Sequence, residues 1–596
     1  MSWMKNLYDV YNARESKVGD GAKSLCPAGH TVKQFHVEAH IDEHGNWLNN
    51  SREIKDKSEM LTIIPCTSSS ASRTSSPAPA PLFDDFGYVA GDFGEKFKKH
   101  FNLYIEQLEN WSNNCEKIRP LFIYLQKATL MADLKREGVI SEKLLANNKT
   151  AIRFIIQYED ESPCPLWEDS EVRENWIEYQ KTLKPMESEE DVFSDYCFIL
   201  GEEAKPATYN PKNIRHQGDG TKLISTREEG YFKWSGRFTI PREAYSVSDE
   251  VMQKAHSALR WLISEYGERS GDQVVLAFGT GGKKTSPITK DFDYNEDDEY
   301  FDKIDTEAEF SKKFNRALKG YGCELDGADK TVIIGLDAAT TGRLSIFYYS
   351  EMPWKELIEN IISWHWQASW QHTYKKKTFF DAPSPDDIIK VVYGEKATDE
   401  LKKNTIKRLL PCIANGAKLP VDIMRLAVNN AGNAVDKDNW IVNKKISIAC
   451  SLIRKYYFDT KKEELKVALD LNDKRPSYLF GRALAYFHQI EWTGMDENER
   501  RIRRTNAQRL MSGFAQHPAK TVGILQQKIQ PYMDKIHKKC GKVYHEKGLL
   551  EVIDKIGDNM TNTPLDELYL VGYSSQMIYF FTGKNDKNES DKENEE

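Results

Sequence analysis

Phe35-His36-Val37-Glu38-Ala39-His40-Ile41-Asp42 alternates apolar with polar side chains. A two-residue period predicts a strand with one face in a core. His44-Gly45-Asn46 supplies a turn after it, and Trp47-Leu48 begins a return strand, so residues 1–60 read as a short helix followed by a hairpin. Further along, the period changes. Ile406, Leu409, Leu410 and Ile413 fit one face of a helix, as do Ala449, Leu452, Ile453 and Tyr456. Leu525, Ile529, Tyr532 and Ile536 form a third such face, with Pro531 expected to kink it. The predicted fold is therefore an α+β N-terminal region of mixed strands and helices, 1–397, followed by an all-α C-terminal helical bundle, 398–582. A subdomain break is expected near 190, and the polar residues 583–596 read as a disordered tail.

Between these anchors, residues 65–81 are rich in Ser, Pro and Ala and read as an exposed loop. Helices are expected from about 92 to 190, around Phe97, Phe101, Tyr104, Ile105 and Leu108. Ala255, Ala258, Leu259, Leu262 and Ile263 have helical spacing, and Val274-Val275-Leu276-Ala277-Phe278 reads as a buried strand. An acidic insertion spans Asp291 to Asp302, and Thr331 to Tyr349 gives two short strands around a turn.

The chain has 596 residues, 40% of them hydrophobic and 11% aromatic, enough for two or three cored domains. A net charge of -8 argues against a wholly basic nucleic-acid coat, but binding follows local charge and not the sum. No apolar run suggests a secretion signal or a membrane span. The 9 cysteines stand apart, with no CxxC, which fits reduced thiols in a cytoplasm.

Candidate catalytic and metal groups are weak. Cys26, His30, His36, His40 and His44 are irregularly spaced and read as ordinary surface residues. His365, between Trp364 and Trp366, reads as a packed helix face, and Glu202-Glu203 would point to opposite faces of a strand. There is no Walker A loop, GxSxG, HExxH or His-Asp doublet of nuclease type, so neither an enzyme nor a metal or other cofactor is expected. Basic residues do cluster. Lys205, Lys212, Arg215, Lys222, Arg227, Lys233 and Arg237 are interleaved with Tyr209, Gly218, Gly220, Tyr231, Phe232 and Trp234. Cations neutralise phosphates, glycines allow close backbone approach and aromatics stack bases. Lys283-Lys284, Lys375-Lys376-Lys377 and the run Arg500-Arg501-Ile502-Arg503-Arg504 are further basic groups.

Several motifs, in order along most of the chain, carry a resemblance. They are Arg73-Thr74-Ser75-Ser76-Pro77 with Leu82-Phe83-Asp84-Asp85-Phe86-Gly87-Tyr88-Val89-Ala90-Gly91, and Gly201-Glu202-Glu203-Ala204-Lys205-Pro206 with Pro211-Lys212-Asn213-Ile214. Gly342-Arg343-Leu344-Ser345-Ile346, Arg475-Pro476-Ser477-Tyr478-Leu479-Phe480-Gly481-Arg482 and Gly572-Tyr573-Ser574-Ser575-Gln576 complete the set. Together they resemble the large subunit of the type I-C (Dvulg subtype) CRISPR Cascade. Ser575 stands where that family usually has His, Asn210 where its His-Pro begins, and Ser76 where it has Gly.

The resemblance implies a non-catalytic, cytoplasmic subunit of an antiviral complex. Its partners would be CRISPR RNA, target double-stranded DNA, the handle-binding, repeated backbone and small Cascade subunits, and a helicase-nuclease recruited after target binding. It would recognise a protospacer-adjacent motif, help open the duplex and stabilise the R-loop. Guide pairing reads the long sequence, leaving the protein a few base pairs and the phosphates. On this reading Arg73, Thr74, Ser75 and Ser76 form the motif-reading loop. Lys212, Arg215, Lys222, Arg237, Lys283, Lys284 and Arg343 are the phosphate contacts. The C-terminal bundle resembles the family's small-subunit-like part, which can be made separately from an internal start, for which Met424, Met495 and Met511 are candidates. The competing readings are a structural scaffold without base reading and a nuclease or helicase of the same system.

Overall fold

The computed structural model describes residues 2–14, 25–73, 77–159, 162–183, 194–207, 210–216, 218–224, 245–280, 330–340, 342–374, 377–433 and 439–593. The N-terminal half mixes strands with helices and the C-terminal half is helix-rich. The described residues fall into two compact units, one ending at Met352 and the other beginning at Pro353.

The first unit holds two cores. In one, the strand Val37–Asp42 forms as its alternation predicts, but its long partner is distant in sequence. It pairs in parallel with Ile152–Gln157 and antiparallel with Arg52–Glu53, while the expected return strand is reduced to an Ile41–Trp47 bridge after the turn. A parallel neighbour needs a long crossover, here supplied by helices that include Lys98–Ser112, Arg119–Leu125 and Leu130–Glu137. Val37, Ala39 and Ile41 are buried with Tyr104, Leu108, Trp111, Phe154 and Trp176. Glu38 is buried too, on the face expected to be wet, because Arg153 on the partner strand donates to it at 2.6 Å and Arg52 at 2.7 Å. An ion pair with its hydrogen bonds satisfied is what lets a carboxylate sit there.

The other core joins the N-terminal helix Ser2–Ala13 to the helix Asp249–Tyr266 and an antiparallel sheet. The 249–266 helix begins at Ser248, whose side chain accepts from Val251 N, and it buries Val251, Ala255, Ala258, Leu259 and Leu262. The sheet runs in the order Arg343–Met352, Thr331–Thr340, Gln273–Gly279, Glu268–Ser270. The continuous apolar run 274–278 is buried along its whole length, as an inner strand should be.

The second unit starts before the expected 398. Trp364, Trp370, Ile388 and Val392 share a core with Leu409, Ile448, Leu452 and Phe480, so the hairpin Trp370–Tyr374/Lys377–Asp381 belongs to the bundle. Its long helices are Asp399–Ala414, Asn439–Tyr456, Pro476–Gly494, Pro518–Cys540 and Leu568–Glu593. The 518–540 helix continues through Pro531. The last helix runs on to Glu593, through the polar residues expected to have no regular structure; a nucleated helix adds residues cheaply. Among the described residues no helix is long and apolar enough to cross a membrane.

Four histidines are buried. Burial pushes His30, His256, His372 and His488 down to about 4 from 6.5. His30 is therefore a core residue and not the surface group its spacing suggested. Each is neutral in the fold and protonates more readily when unfolded. The stability they contribute is thus complete above pH 6.5 and lost as pH falls toward 4. Calorimetric melting points at pH 7, 6, 5 and 4.5 should fall steadily through this window in both units; a flat profile would contradict the burial.

Candidate functional site

Two of the expected cation groups meet in the first unit. Ser68–Ser72, within the Ser-rich stretch, is a short capped helix and not plain loop. Thr67 and Ser70 exchange side-chain-to-backbone hydrogen bonds in a capping box. Serine's competition for nearby backbone groups here starts a helical turn. The turn delivers Arg73, whose guanidinium is fastened in place. It donates to Asp84 at 2.5 and 2.7 Å, to Asp85 at 2.9 Å and to the carbonyl of Ala78 at 3.1 Å, and lies 4.4 Å over the ring of Tyr88. Asp84 also accepts from Ala80 N at 2.8 Å, so one fully buried carboxylate holds both sides of the 74–79 segment. Burial alone would raise the Asp84 carboxyl, but Lys33 and Arg73 outweigh it and hold it well below the usual carboxylate range. Burial and the Asp84 charge raise its neighbour Asp85. Arg73 thus anchors the loop. Thr74, Ser75 and Ser76 lie outside the described residues.

The second group is tied to the first: Lys212 Nζ donates to the carbonyl of Arg73 at 3.1 Å. The loop that carries Lys212 is itself tightly made. Asn213 and Gly218 take positive φ, 56° and 84°, and Asn213 N donates to the carbonyl of Asp219 at 2.8 Å. Asn tolerates that backbone better than most residues. The carbonyls of Lys212 and Arg215 accept from Arg260 and Arg269. Arg215 is turned inward, 6% exposed at its side chain. It makes two bonds to Asp219, at 2.9 and 3.0 Å, and one to the carbonyl of Asp272 at 2.5 Å. Burial raises the Asp219 carboxyl, but Arg215 and Thr221 outweigh it and bring it far below its ordinary value. In this arrangement Arg215 is a clamp within the loop, where the sequence reading has it as a phosphate contact.

Further along the loop, Lys222 and Arg343 are brought side by side. Their backbones form a parallel bridge in which Lys222 N donates to the carbonyl of Gly342 at 3.2 Å and Leu344 N to that of Lys222 at 3.0 Å. Arg237, Lys283 and Lys284 fall outside the described residues, as do Arg227, Lys233, Tyr209, Tyr231, Phe232, Trp234, Lys375, Lys376 and the acidic 291–302 insertion.

The other candidates resolve into structure. Glu202 and Glu203 lie on a short strand, Glu202–Ala204, paired with Asp195–Cys197. The Asp381 carboxylate accepts from His365 Nδ1 at 2.5 Å, and His372 links Ser447 at 2.8 Å to the carbonyl of Asp381 at 3.1 Å. These bonds lash the 370–381 hairpin to the bundle. Among the described residues no group of three or more His, Cys, Asp or Glu side chains is placed to hold a metal ion.

A larger concentration of charge lies in the second unit. Residues 500–547 carry five arginines and seven lysines against Asp534 and Glu546 alone, in a chain of net charge -8. At about 100° per residue, Lys520, Lys528, Lys535, Lys538 and Lys539 share one flank of the Pro518–Cys540 helix. Leu525, Ile529, Tyr532 and Ile536 turn to the core. The five lysines are exposed. Aromatics accompany them: Arg503 and Lys535 lie 5.6 and 5.4 Å from the Tyr532 ring, and Lys542 lies 4.7 Å from that of Tyr544, which is 71% exposed. The run Arg500 to Arg504 pointed to this surface, but the lysines are spread over helical turns and do not read as a motif. A charge sum over a 48-residue window finds them.

A family profile described as "CRISPR-associated protein (Cas_Csd1)" matches residues 7–581. No curated protein matches the chain.

Proposed function

Because the chain belongs to the Cas_Csd1 family of CRISPR-associated proteins, in keeping with its likeness to the type I-C Cascade large subunit, we propose that it grips nucleic acid within that complex without cutting it. The observation that carries this reading is the separation of charge: an acidic chain gathers five arginines and seven lysines against two carboxylates in the 500–547 segment, with Glu499 at its edge bridging Arg503 and Lys535 and Glu551 meeting Lys547. Phosphate neutralisation releases condensed counterions and supplies sequence-independent affinity. A row of lysines on one helix flank, with tyrosine beside it, suits a displaced single strand or an RNA–DNA backbone.

The N-terminal unit takes the reading task. Arg73, fixed by Asp84, sets the base of a loop whose Thr74, Ser75 and Ser76 would meet the protospacer-adjacent motif. Lys212, Lys222 and Arg343 would meet flanking phosphates, with Arg237, Lys283 and Lys284. CRISPR RNA, the target duplex, the other Cascade subunits and a helicase-nuclease docked after target binding are the partners of this proposal. One observation favours a scaffold role instead: Arg73 and Arg215 spend their guanidinium groups on the protein's own carboxylates.

Converting Lys528, Lys535, Lys538 and Lys539 to glutamine separates the two. Titration of the assembled complex with DNA at several salt concentrations should show lower affinity for every target sequence. The log–log salt slope should fall by about 0.7–0.9 per lost phosphate contact. An unchanged slope and affinity would favour the scaffold; a loss confined to some sequences would contradict phosphate contact.

A further inference from the structure

We infer that the crossing of the helices Pro476–Gly494 and Leu568–Glu593 holds one small inorganic anion, of halide size, against the guanidinium of Arg482. The site lies within the helical unit and is separate from the proposed grip on nucleic acid.

Arg482 is 4% exposed, and Ser575 and Gln576 on the facing helix are 0% exposed. Arg482 Nε donates to Gln576 Oε1 at 3.0 Å, which fixes that amide with its nitrogen turned elsewhere. Arg482 Nη1, Gln576 Nε2 and the Ser575 hydroxyl are then buried with no hydrogen-bond partner. Tyr478 stands beside both helices' donors: burial raises its phenol, while the Asp470 amide, Ser575 and Arg482 pull it back. A guanidinium and an amide nitrogen can only donate, and a hydroxyl is free to. Three spare donors from adjoining positions call for a guest that accepts. A water would bring two protons of its own and no charge to set against the arginine.

Among the described residues no carboxylate pairs with Arg482. Asp473, which acts on Tyr478, and Glu551, which acts on Tyr486 beside the guanidinium, already meet Arg475 and Lys547. A buried cation without a counter-charge is strongly unfavourable, and a bound anion removes that cost. The helices touch backbone to backbone at Gly481 and Gly572, so the guest is small, and a phosphate ester or an organic acid is too large.

The test uses the full chain at constant ionic strength, with potassium gluconate replaced stepwise by potassium bromide. The melting point of the helical unit should rise and saturate, as binding to the folded state alone requires. Ser575→Ala, which removes one donor and leaves the charge, should raise the half-saturating bromide concentration about tenfold, the loss of one hydrogen bond to a charged group. Arg482→Met should abolish the bromide dependence. Crystals of the wild-type chain grown in bromide should show an anomalous peak beside Arg482 Nη1, a reading that does not depend on any variant folding. A melting point indifferent to bromide, or anomalous maps with no peak there, would overturn the assignment. A peak without a saturable effect on melting would be an adventitious ion only and would overturn it too.

Discussion

Replacing Arg215 with alanine should cost the N-terminal unit about 3–5 kcal/mol, the usual consequence of removing one partner of a buried ion pair. Asp219 is 2% exposed at its side chain, and Arg215 is the cation that faces it. After the substitution that carboxylate keeps only neutral donors, the amide of residue 215 at 3.3 Å and the hydroxyl and amide of Thr221 at 2.6 and 3.1 Å. The carbonyl of Asp272 loses its guanidinium donor as well, so of the ties between residue 215 and the 268–279 hairpin the bond from Arg269 to its carbonyl remains. Urea unfolding of the full chain, followed by tryptophan fluorescence, should show an earlier first transition with the helical unit unaffected. Arg215→Lys should recover only part of the loss, since an ammonium cannot reproduce the two-pronged bond. The pH dependence has a definite sign. The Asp219 carboxyl is held below its unfolded value, so its contribution is present above about pH 4 and disappears as pH falls further. The gap between wild type and Arg215→Ala should close in acid. If stability stayed at the wild-type level while DNA affinity fell, Arg215 would be leaving Asp219 to meet phosphate.

The arginine shows where sequence reading stops. Lys212, Arg215 and Lys222 look alike in a string, and a basic run between glycines suggests a phosphate site. Four residues beyond Arg215 stands Asp219, and whether the two meet depends on the positive-φ turn at Asn213 and Gly218, which the string shows only as residue types that permit it. Arg73 has the same character: Asp84 and Asp85 were visible as part of a motif, but not as the counter-charges that fix the guanidinium. Periodicity fared better. The faces 406–413, 449–456 and 525–536 lie in the core as their spacing predicts, because amphipathic helices bury whatever recurs every three to four residues. The 37–42 strand was legible for the same reason, while its parallel partner at 152–157 was not. Pairing across so long a separation leaves no local trace, and the ion pair that buries Glu38 comes with it. The lysine flank of the 518–540 helix was legible in principle, by summing charge over turns and not over neighbours.

The family-like motifs of the helical half have a packing reason that yields the other large effect. The helices Pro476–Gly494 and Leu568–Glu593 cross with their backbones in contact. A Cβ on Gly481 would stand 2.0 Å from the carbonyl oxygen of Tyr569, and one on Gly572 would stand 2.1 Å from that of Tyr478. Backbone cannot swing aside as a side-chain tip does, so the helices must separate, and Phe480, Leu484 and Leu570 lose packing with them. Gly481→Ala should therefore destabilise the helical unit by about 3 kcal/mol or more, the upper end of overpacking costs, even though alanine favours a helix by about 1 kcal/mol. Gly523→Ala in the 518–540 helix meets nothing within 4 Å. It should show the propensity alone and stabilise by up to about 1 kcal/mol. Opposite signs for one substitution type, read by chemical unfolding of the full chain, isolate the close approach as the cause. The double variant Gly481→Ala, Gly572→Ala should lose less than the sum of its parts, since helices already parted for one methyl make room for the other. Strict additivity would mean that the two glycines relax independently and that the crossing is not the rigid contact described.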